Sequence, residues 1–201
     1  MQNLGILLSG RGSNFEAIAD SVAQGKLPAK IALVISNREE ASGIAAARRR
    51  GLPVEVIASA GKKREEHEAA VIAALQGAKV DWVCLAGYLR LLSPLFVRAF
   101  PERILNIHPS LLPAFPGLGA QQQALEHGVK VTGCTVHFVD ESLDHGPIIL
   151  QKAVPVWPSD DVAALESRIL KQEHILYSEA LALVLSGNWR VQGRRVFTQS
   201  T

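Results

Sequence analysis

The feature of this sequence that most constrains its fold is an alternation of short apolar runs with segments of helical periodicity. The predicted strands of the first half are Leu4–Leu8, Ile31–Ser36, Val54–Ile57, Trp82–Leu85 and Ile104–His108. Between them the pattern predicts helices over Asn14–Ala23, Gly43–Arg50, Lys63–Leu75 and Pro94–Phe100. This rhythm predicts an α/β fold with a doubly wound, mostly parallel sheet and helices on both faces.

The pattern changes after Pro109. Two prolines make Ser110–Gly117 a loop. A short helix is predicted over Gln121–His127, followed by two longer strands over Val131–Val139 and Ile148–Val156 that form a mixed or antiparallel addition to the sheet. A long helix is predicted over Asp161–Ser186, with Ser159 or Asp160 as its cap. The chain then forms a predicted hairpin over Arg190–Phe197, with Gly193 in its middle. We predict one domain over residues 1–201.

Composition excludes several classes of protein. The apolar share of 48% and charged share of 20% are ordinary for a globular chain, and a net charge of +2 gives no reason to expect a nucleic-acid or membrane partner. The sequence shows neither a bilayer-spanning apolar run nor a signal segment, so we expect a cytoplasmic protein. Cys84 and Cys134 are too few for a disulfide framework or a structural zinc site, and both lie in apolar runs that favour buried, inert thiols.

Ligands of open parallel sheets bind beyond the carboxyl ends of the strands, which directs attention to the segments after Leu8, Leu85 and His108. The first is Ser9–Asn14, a glycine-rich turn between a strand and a helix. Phe15 stands where a dinucleotide fingerprint would have its third glycine, so we favour a monophosphate bound by Gly12, Ser13 and Asn14. A capped turn that binds nothing is the alternative.

Asn106 and His108 are the polar residues of an apolar strand, and strand alternation places both on one face. An amide beside an imidazole at a strand end can stabilise the oxyanion of an acyl transfer, although a lone histidine is often structural. The acidic segment Asp140–Pro147 contains Asp144, which could reach His108, orient its ring and favour its protonated form. The same segment could also be a solvated loop. His137 could join the site or be a packed strand residue.

The segment Ala86–Pro94 surrounds Arg90 with apolar side chains, which would suit a flat aromatic ligand or an ordinary connection. The sequence contains no His-Glu-x-x-His or paired cysteines, and we predict no metal. It also lacks a Gly-x-Ser-x-Gly elbow. Cys134 and His137 lie three positions apart on a predicted strand and should face opposite sides, which disfavours a thiol nucleophile.

Together these motifs resemble the folate-dependent glycinamide ribonucleotide formyltransferases over nearly the whole chain. The strongest match is Asn106–Pro113 with Phe115–Gly117, and further matches are Leu8–Asn14, Ala86–Pro94 and Val136–Ile148. The central motif is shared with sister formyltransferases and a folate deformylase. The glycine loop and the short chain favour the purine enzymes.

The resemblance implies direct transfer of a formyl group from 10-formyltetrahydrofolate to the amine of glycinamide ribonucleotide. By similarity, Asn106, His108 and Asp144 are catalytic, and the ribonucleotide is bound by Gly12, Ser13, Asn14 and Glu173. The implied folate site consists of Arg64, Leu89, Arg90, Leu91, Leu92, Asn106 and Asp140, with Asp140–Asp144 closing over the pteridine. The implied partners are these small molecules, for a monomer or weak homodimer.

One departure from the family concerns Gly119–Gln123, where relatives usually carry a histidine-containing stretch. Activity could be altered there. This departure leaves open a phosphate- or nucleotide-binding relative without chemistry. A hydrolase that discharges the formyl group to water also stays open, because it would use the same polar residues and needs no phosphate loop.

Overall fold

The structure is a computed structural model that describes residues 1–198. The chain forms two compact units, one from Met1 to Asn106 and one that begins at Ile107. One domain over residues 1–201 stays a prediction, and residues 199–201 of that range lie outside the described residues.

The first unit contains every strand and helix that the sequence predicts there, with ends that differ by at most two residues. The strands are β1 (Gln2–Leu8), β2 (Ala29–Ser36), β3 (Val54–Val56), β4 (Trp82–Leu85) and β5 (Ile104–His108), whose last two residues belong to the second unit. The helices are α1 (Ser13–Ala23), α2 (Ser42–Arg49), α3 (Arg64–Gly77) and α4 (Pro94–Ala99).

The strand order β3-β2-β1-β4-β5, with parallel pairs, confirms the doubly wound fold. The chain moves outward from β1 to β3 and then returns to the other side of β1. Because strand–helix–strand crossovers are right-handed, this reversal places α1 and α2 on one face and α3 and α4 on the other. Contacts between α1 and α2, and between α3 and α4, agree with that arrangement.

The second unit contains α5 (Ala120–Glu126), β6 (Val131–Phe138), β7 (Ile148–Pro155), α6 (Val162–Ser186), β8 (Trp189–Gln192) and β9 (Arg195–Thr198). β6 and β7 pair antiparallel, as expected, and β8 and β9 form the predicted terminal hairpin. β9 lies parallel to β7, giving the order β6-β7-β9-β8. α6 packs against both β6 and β7.

The cap of α6 differs from the prediction. Asp161 is the N-cap, and its side chain accepts a hydrogen bond from Ala164 N at 2.7 Å. Ser159 or Asp160 was the wrong choice, because Asp160 accepts instead from Trp157 N and forms a two-pronged ion pair with Arg168. A carboxylate committed to a guanidinium cannot also satisfy the first amides of the helix.

Both cysteines are free and buried, as predicted. Burial, with a smaller contribution from Glu173, raises the pKa of the Cys134 thiol to about 12, so this sulfur is protonated and unreactive near neutral pH. Within residues 1–198, none of the helices combines the length and apolar character needed to cross a bilayer.

Gly133 in β6 is required by the close approach of β7. A Cβ at this position would lie 1.9 Å from the carbonyl oxygen of Lys152, which is main chain and cannot rotate away. We expect Gly133→Ala to lower the free energy of unfolding by about 2 kcal/mol or more in urea denaturation.

Gly77 is the control for this prediction. It ends α3, and a Cβ there meets no atom within 4 Å. Gly77→Ala should be neutral or slightly stabilising, because alanine favours the helix. Equal stability of the two variants would contradict the packing argument.

Candidate active site

His108 and Asp144 meet in the second unit. His108 ends β5 and is 5% exposed, and Asp144 lies in the loop between β6 and β7. The Nδ1 atom of His108 lies 3.3 Å from Oδ2 of Asp144, and both side chains are nearly buried. The structure therefore brings together the two residues that the sequence suggested as partners, while their catalytic roles stay predictions.

Main-chain groups of one loop complete this pair. Nε2 of His108 lies 2.9 Å from the carbonyl oxygen of Phe115, which can only accept, so Nε2 carries the hydrogen. Gly117 N donates to Asp144 Oδ2 at 2.8 Å, so the same loop contacts the carboxylate as well. Nδ1 of His108 therefore faces the carboxylate, and Nε2 faces a main-chain carbonyl.

His137 is both a packed strand residue and a neighbour of the pair. It is 1% exposed on β6, and its Nδ1 donates to the carbonyl oxygen of Phe138 at 2.7 Å. Its Nε2 lies 3.9 Å from Asp144 Oδ1, beyond hydrogen-bond distance. Burial lowers the pKa of His137, which favours the neutral ring.

Thr135 and Gln151 support the loop that follows His108, and sequence analysis missed both. The Thr135 hydroxyl donates to Ser110 O at 2.7 Å and accepts from Leu112 N at 3.0 Å. The Gln151 amide donates to Thr135 Oγ1 and to Leu112 O, each at 2.9 Å. In the sequence, the signal for Thr135 was a polar residue inside an otherwise apolar strand-like run.

In the first unit, the glycine turn places a left-handed residue directly before α1. Gly12 has φ 75° and precedes α1, and a Cβ there would lie 3.0 Å from Gly43 Cα. Only glycine combines this backbone conformation with this approach of α2. Ser13 and Asn14 follow as the first residues of α1, where main-chain amides point out of the helix end.

Ser9 joins the ends of three parallel strands. Its hydroxyl donates to Asn37 Oδ1 after β2 at 2.6 Å and accepts from Leu89 N after β4 at 2.9 Å. The segments after Leu8 and Leu85 therefore lie side by side at the carboxyl ends of their strands, as expected for the ligand-binding side of an open parallel sheet.

The segment after β4 exposes two leucine side chains. Leu89 and Leu91 are 58% and 52% exposed, and Arg90 and Leu92 are half-buried. Arg64, at the start of α3, is exposed. Exposed leucines beside an arginine form a surface on which a flat, partly anionic ligand could bind.

Two consecutive residues of α3 anchor this segment, and sequence analysis missed both. His67 Nε2 lies 2.9 Å from Tyr88 Oη. Glu68 accepts from Ser93 N at 2.9 Å and from Ser93 Oγ. His67 and Glu68 are 0% and 2% exposed, and charged residue types rarely occur so deep without such partners.

The remaining predicted residues have distinct surroundings. Glu173 is 7% exposed in the middle of α6. Asp140 pairs with His145 at 2.7 Å and accepts from Ser142 N at 2.9 Å, so it shapes the acidic loop. Among residues 1–198 no cluster of three or more histidine, cysteine or acidic side chains could hold a metal ion.

Comparison with known proteins identifies the family. The family described as Formyl transferase matches residues 2–181. The phosphoribosylglycinamide formyltransferase of Haemophilus influenzae is 39% identical over 193 residues, which cover 96% of this chain and 91% of that protein. This chain belongs to the formyl transferase family.

Two further relatives extend the comparison. The crystal structure of glycinamide ribonucleotide transformylase 1 from Symbiobacterium toebii matches this chain with a TM-score of 0.98 and 52% identity, over 100% of this chain and 95% of that one. The human trifunctional purine biosynthetic protein adenosine-3 is 49% identical over 183 residues, which cover 90% of this chain. This chain spans only 18% of the length of that human protein.

The buried histidine of α3 generates a prediction on stability. Burial, and then the charge of Arg90, lower the pKa of His67 from 6.5, with a further lowering by Lys62 and opposing contributions from Glu68 and a backbone contact to Ala58. The unfolded chain therefore takes up this proton at a higher pH than the folded chain does. The free energy of unfolding should fall as pH drops below about 6.5.

Urea denaturation between pH 7.5 and pH 5 measures this effect. His67→Gln should weaken the decline without removing it, because His137 contributes in the same direction. His127→Gln, at the exposed end of α5, is the control. An identical decline in both variants would contradict the assignment to His67.

Proposed function

We propose that this formyl transferase moves the formyl group of 10-formyltetrahydrofolate to the amino group of glycinamide ribonucleotide. The products are formylglycinamide ribonucleotide and tetrahydrofolate, in de novo purine biosynthesis. The observation that carries the proposal is the buried His108–Asp144 pair at 3.3 Å, in a chain that matches the Haemophilus influenzae phosphoribosylglycinamide formyltransferase over 91% of its length.

In the proposed reaction the amine attacks the formyl carbon, and the formyl oxygen gains negative charge in a tetrahedral intermediate. The Asn106 amide and the Nε2–H of His108 would stabilise that oxygen, with the Nε2–H shared between it and the Phe115 carbonyl. Asp144 would hold the ring in its protonated form. The amine gives its proton to water, the carbon–nitrogen bond to folate breaks, and the leaving nitrogen gains a proton from His108 or a water. Where His108 is the donor, the proton released by the amine restores it.

Substrate binding is proposed for residues outside this pair. Gly12, Ser13 and Asn14 would hold the ribonucleotide phosphate, which the left-handed turn at Gly12 supports, and Glu173 would contact the same substrate. The folate would bind Leu89, Arg90, Leu91 and Leu92, with Arg64 near its tail and Asp140–Asp144 over the pteridine. The exposure of Leu89 and Leu91 supports this role.

The direct test supplies purified protein with both substrates and follows release of tetrahydrofolate. His108→Ala should lower the rate about a hundredfold or more, because one oxyanion donor is removed. Formate released without an amine acceptor would instead indicate the hydrolase. Tight binding of either substrate with no turnover would indicate a non-catalytic relative.

Asp144→Asn tests the proposed pair separately. The variant keeps the size of the side chain but removes the negative charge, so the protonated ring of His108 is less favoured. We expect kcat/KM to fall about a hundredfold and its alkaline limb to move to lower pH. A pH–rate profile with an unchanged alkaline limb would remove the role assigned to Asp144.

A further inference from the structure

The main chain of Phe115–Leu118 contacts both members of the His108–Asp144 pair. The Phe115 carbonyl accepts from His108 Nε2, and the Gly117 amide donates to Asp144 Oδ2. The positions of the imidazole and the carboxylate therefore depend on where this short segment lies.

The segment has an unfavourable backbone conformation of its own. Phe115 has φ 54°, in the left-handed region that non-glycine residues rarely adopt. Gly117 and Gly119 have φ 82° and 68°. Glycines leave many conformations accessible, and Phe115 adds a strained one, so contacts from elsewhere must select this arrangement.

Gln123 of α5 provides such contacts. Its side-chain amide donates to Leu118 O at 3.0 Å and to Pro116 O at 3.4 Å. These two carbonyls lie on either side of Gly117, whose amide faces Asp144. The ring of His127, at the end of the same helix, lies 5.2 Å from the ring of Phe115 and donates from Nδ1 to Gln123 O.

We propose that Gln123 is a positioning residue for formyl transfer. It acts through Phe115–Leu118, whose carbonyl and amide set the geometry of His108 and Asp144. This role gives a function to the end of the Gly119–Gln123 stretch in this chain. The proposal rests on the proposed function for its kinetic effect, although its effect on the His108 ring does not depend on activity.

The neighbouring Gln122 is a matched control on the same helix. It is exposed, and its side-chain amide donates to Glu126 at 2.6 Å on the helix surface. Gln123→Met and Gln122→Met make the same chemical change, removing an amide while keeping length and helix propensity. They differ in whether the lost amide contacts Phe115–Leu118.

The experiment measures two quantities in both variants: kcat/KM for formyl transfer, and the pH titration of the His108 ring by NMR. Gln123→Met should lower kcat/KM about tenfold or more, because small displacements of reacting groups are costly, and it should displace the His108 titration. Gln122→Met should match the unsubstituted protein in both. Gln123→Glu keeps the shape but places a carboxylate against the same two carbonyls, so it should also lower kcat/KM. Its added charge acts on the His108 ring directly, so the titration is compared only between the two methionine variants.

The outcomes separate the two proposals. If Gln123→Met leaves both the rate and the titration unchanged, the positioning role is overturned while the formyl transfer stands. If the unsubstituted protein transfers no formyl groups, the proposed function fails. A His108 titration that is displaced in Gln123→Met and unchanged in Gln122→Met would still support the positioning role. Failure of both Gln123 variants to fold would overturn the role by showing that Gln123 serves the fold.

Discussion

The interaction on which the candidate site depends is the contact between the His108 ring and the Asp144 carboxylate. Two ionisable groups that leave water lose hydration energy, and their attraction compensates only when the remaining donors and acceptors are also satisfied. Here they are satisfied by main chain. The Phe115 carbonyl accepts a hydrogen bond from Nε2 of the ring, and the Gly117 amide donates one to the carboxylate. The pair and its loop therefore form one unit.

The supports of this unit are neutral hydrogen bonds from side chains that sequence patterns do not distinguish. Thr135 and Gln151 hold the beginning of the loop, and Gln123 holds its end. These side chains fix the main chain of the loop, and its Phe115 carbonyl and Gly117 amide then hold the pair in position at no cost in side-chain entropy. In the first unit, His67 and Glu68 support the segment after β4 in a comparable way.

Sequence reasoning succeeded where a local rule is strong. The strands β4 and β5 have the predicted ends, because their apolar runs are short and bounded by turn-forming residues. The doubly wound order follows from right-handed crossovers and the regular rhythm. The cap of α6 was missed because three neighbouring residues, Ser159, Asp160 and Asp161, can all cap a helix, and the ion pair of Asp160 with Arg168 decides among them.

By itself, the sequence determined the α/β class, the alternation that puts Asn106 and His108 on one strand face, and the glycine turn before α1. These depend on neighbours along the chain, since strand period and backbone freedom are local properties. Only the tertiary structure decided that Asp144 reaches His108, that Phe115 and Gly117 contact the pair, and that His67 lies beneath Tyr88. Such contacts join residues distant in sequence, and their geometry is set by packing that no local pattern encodes.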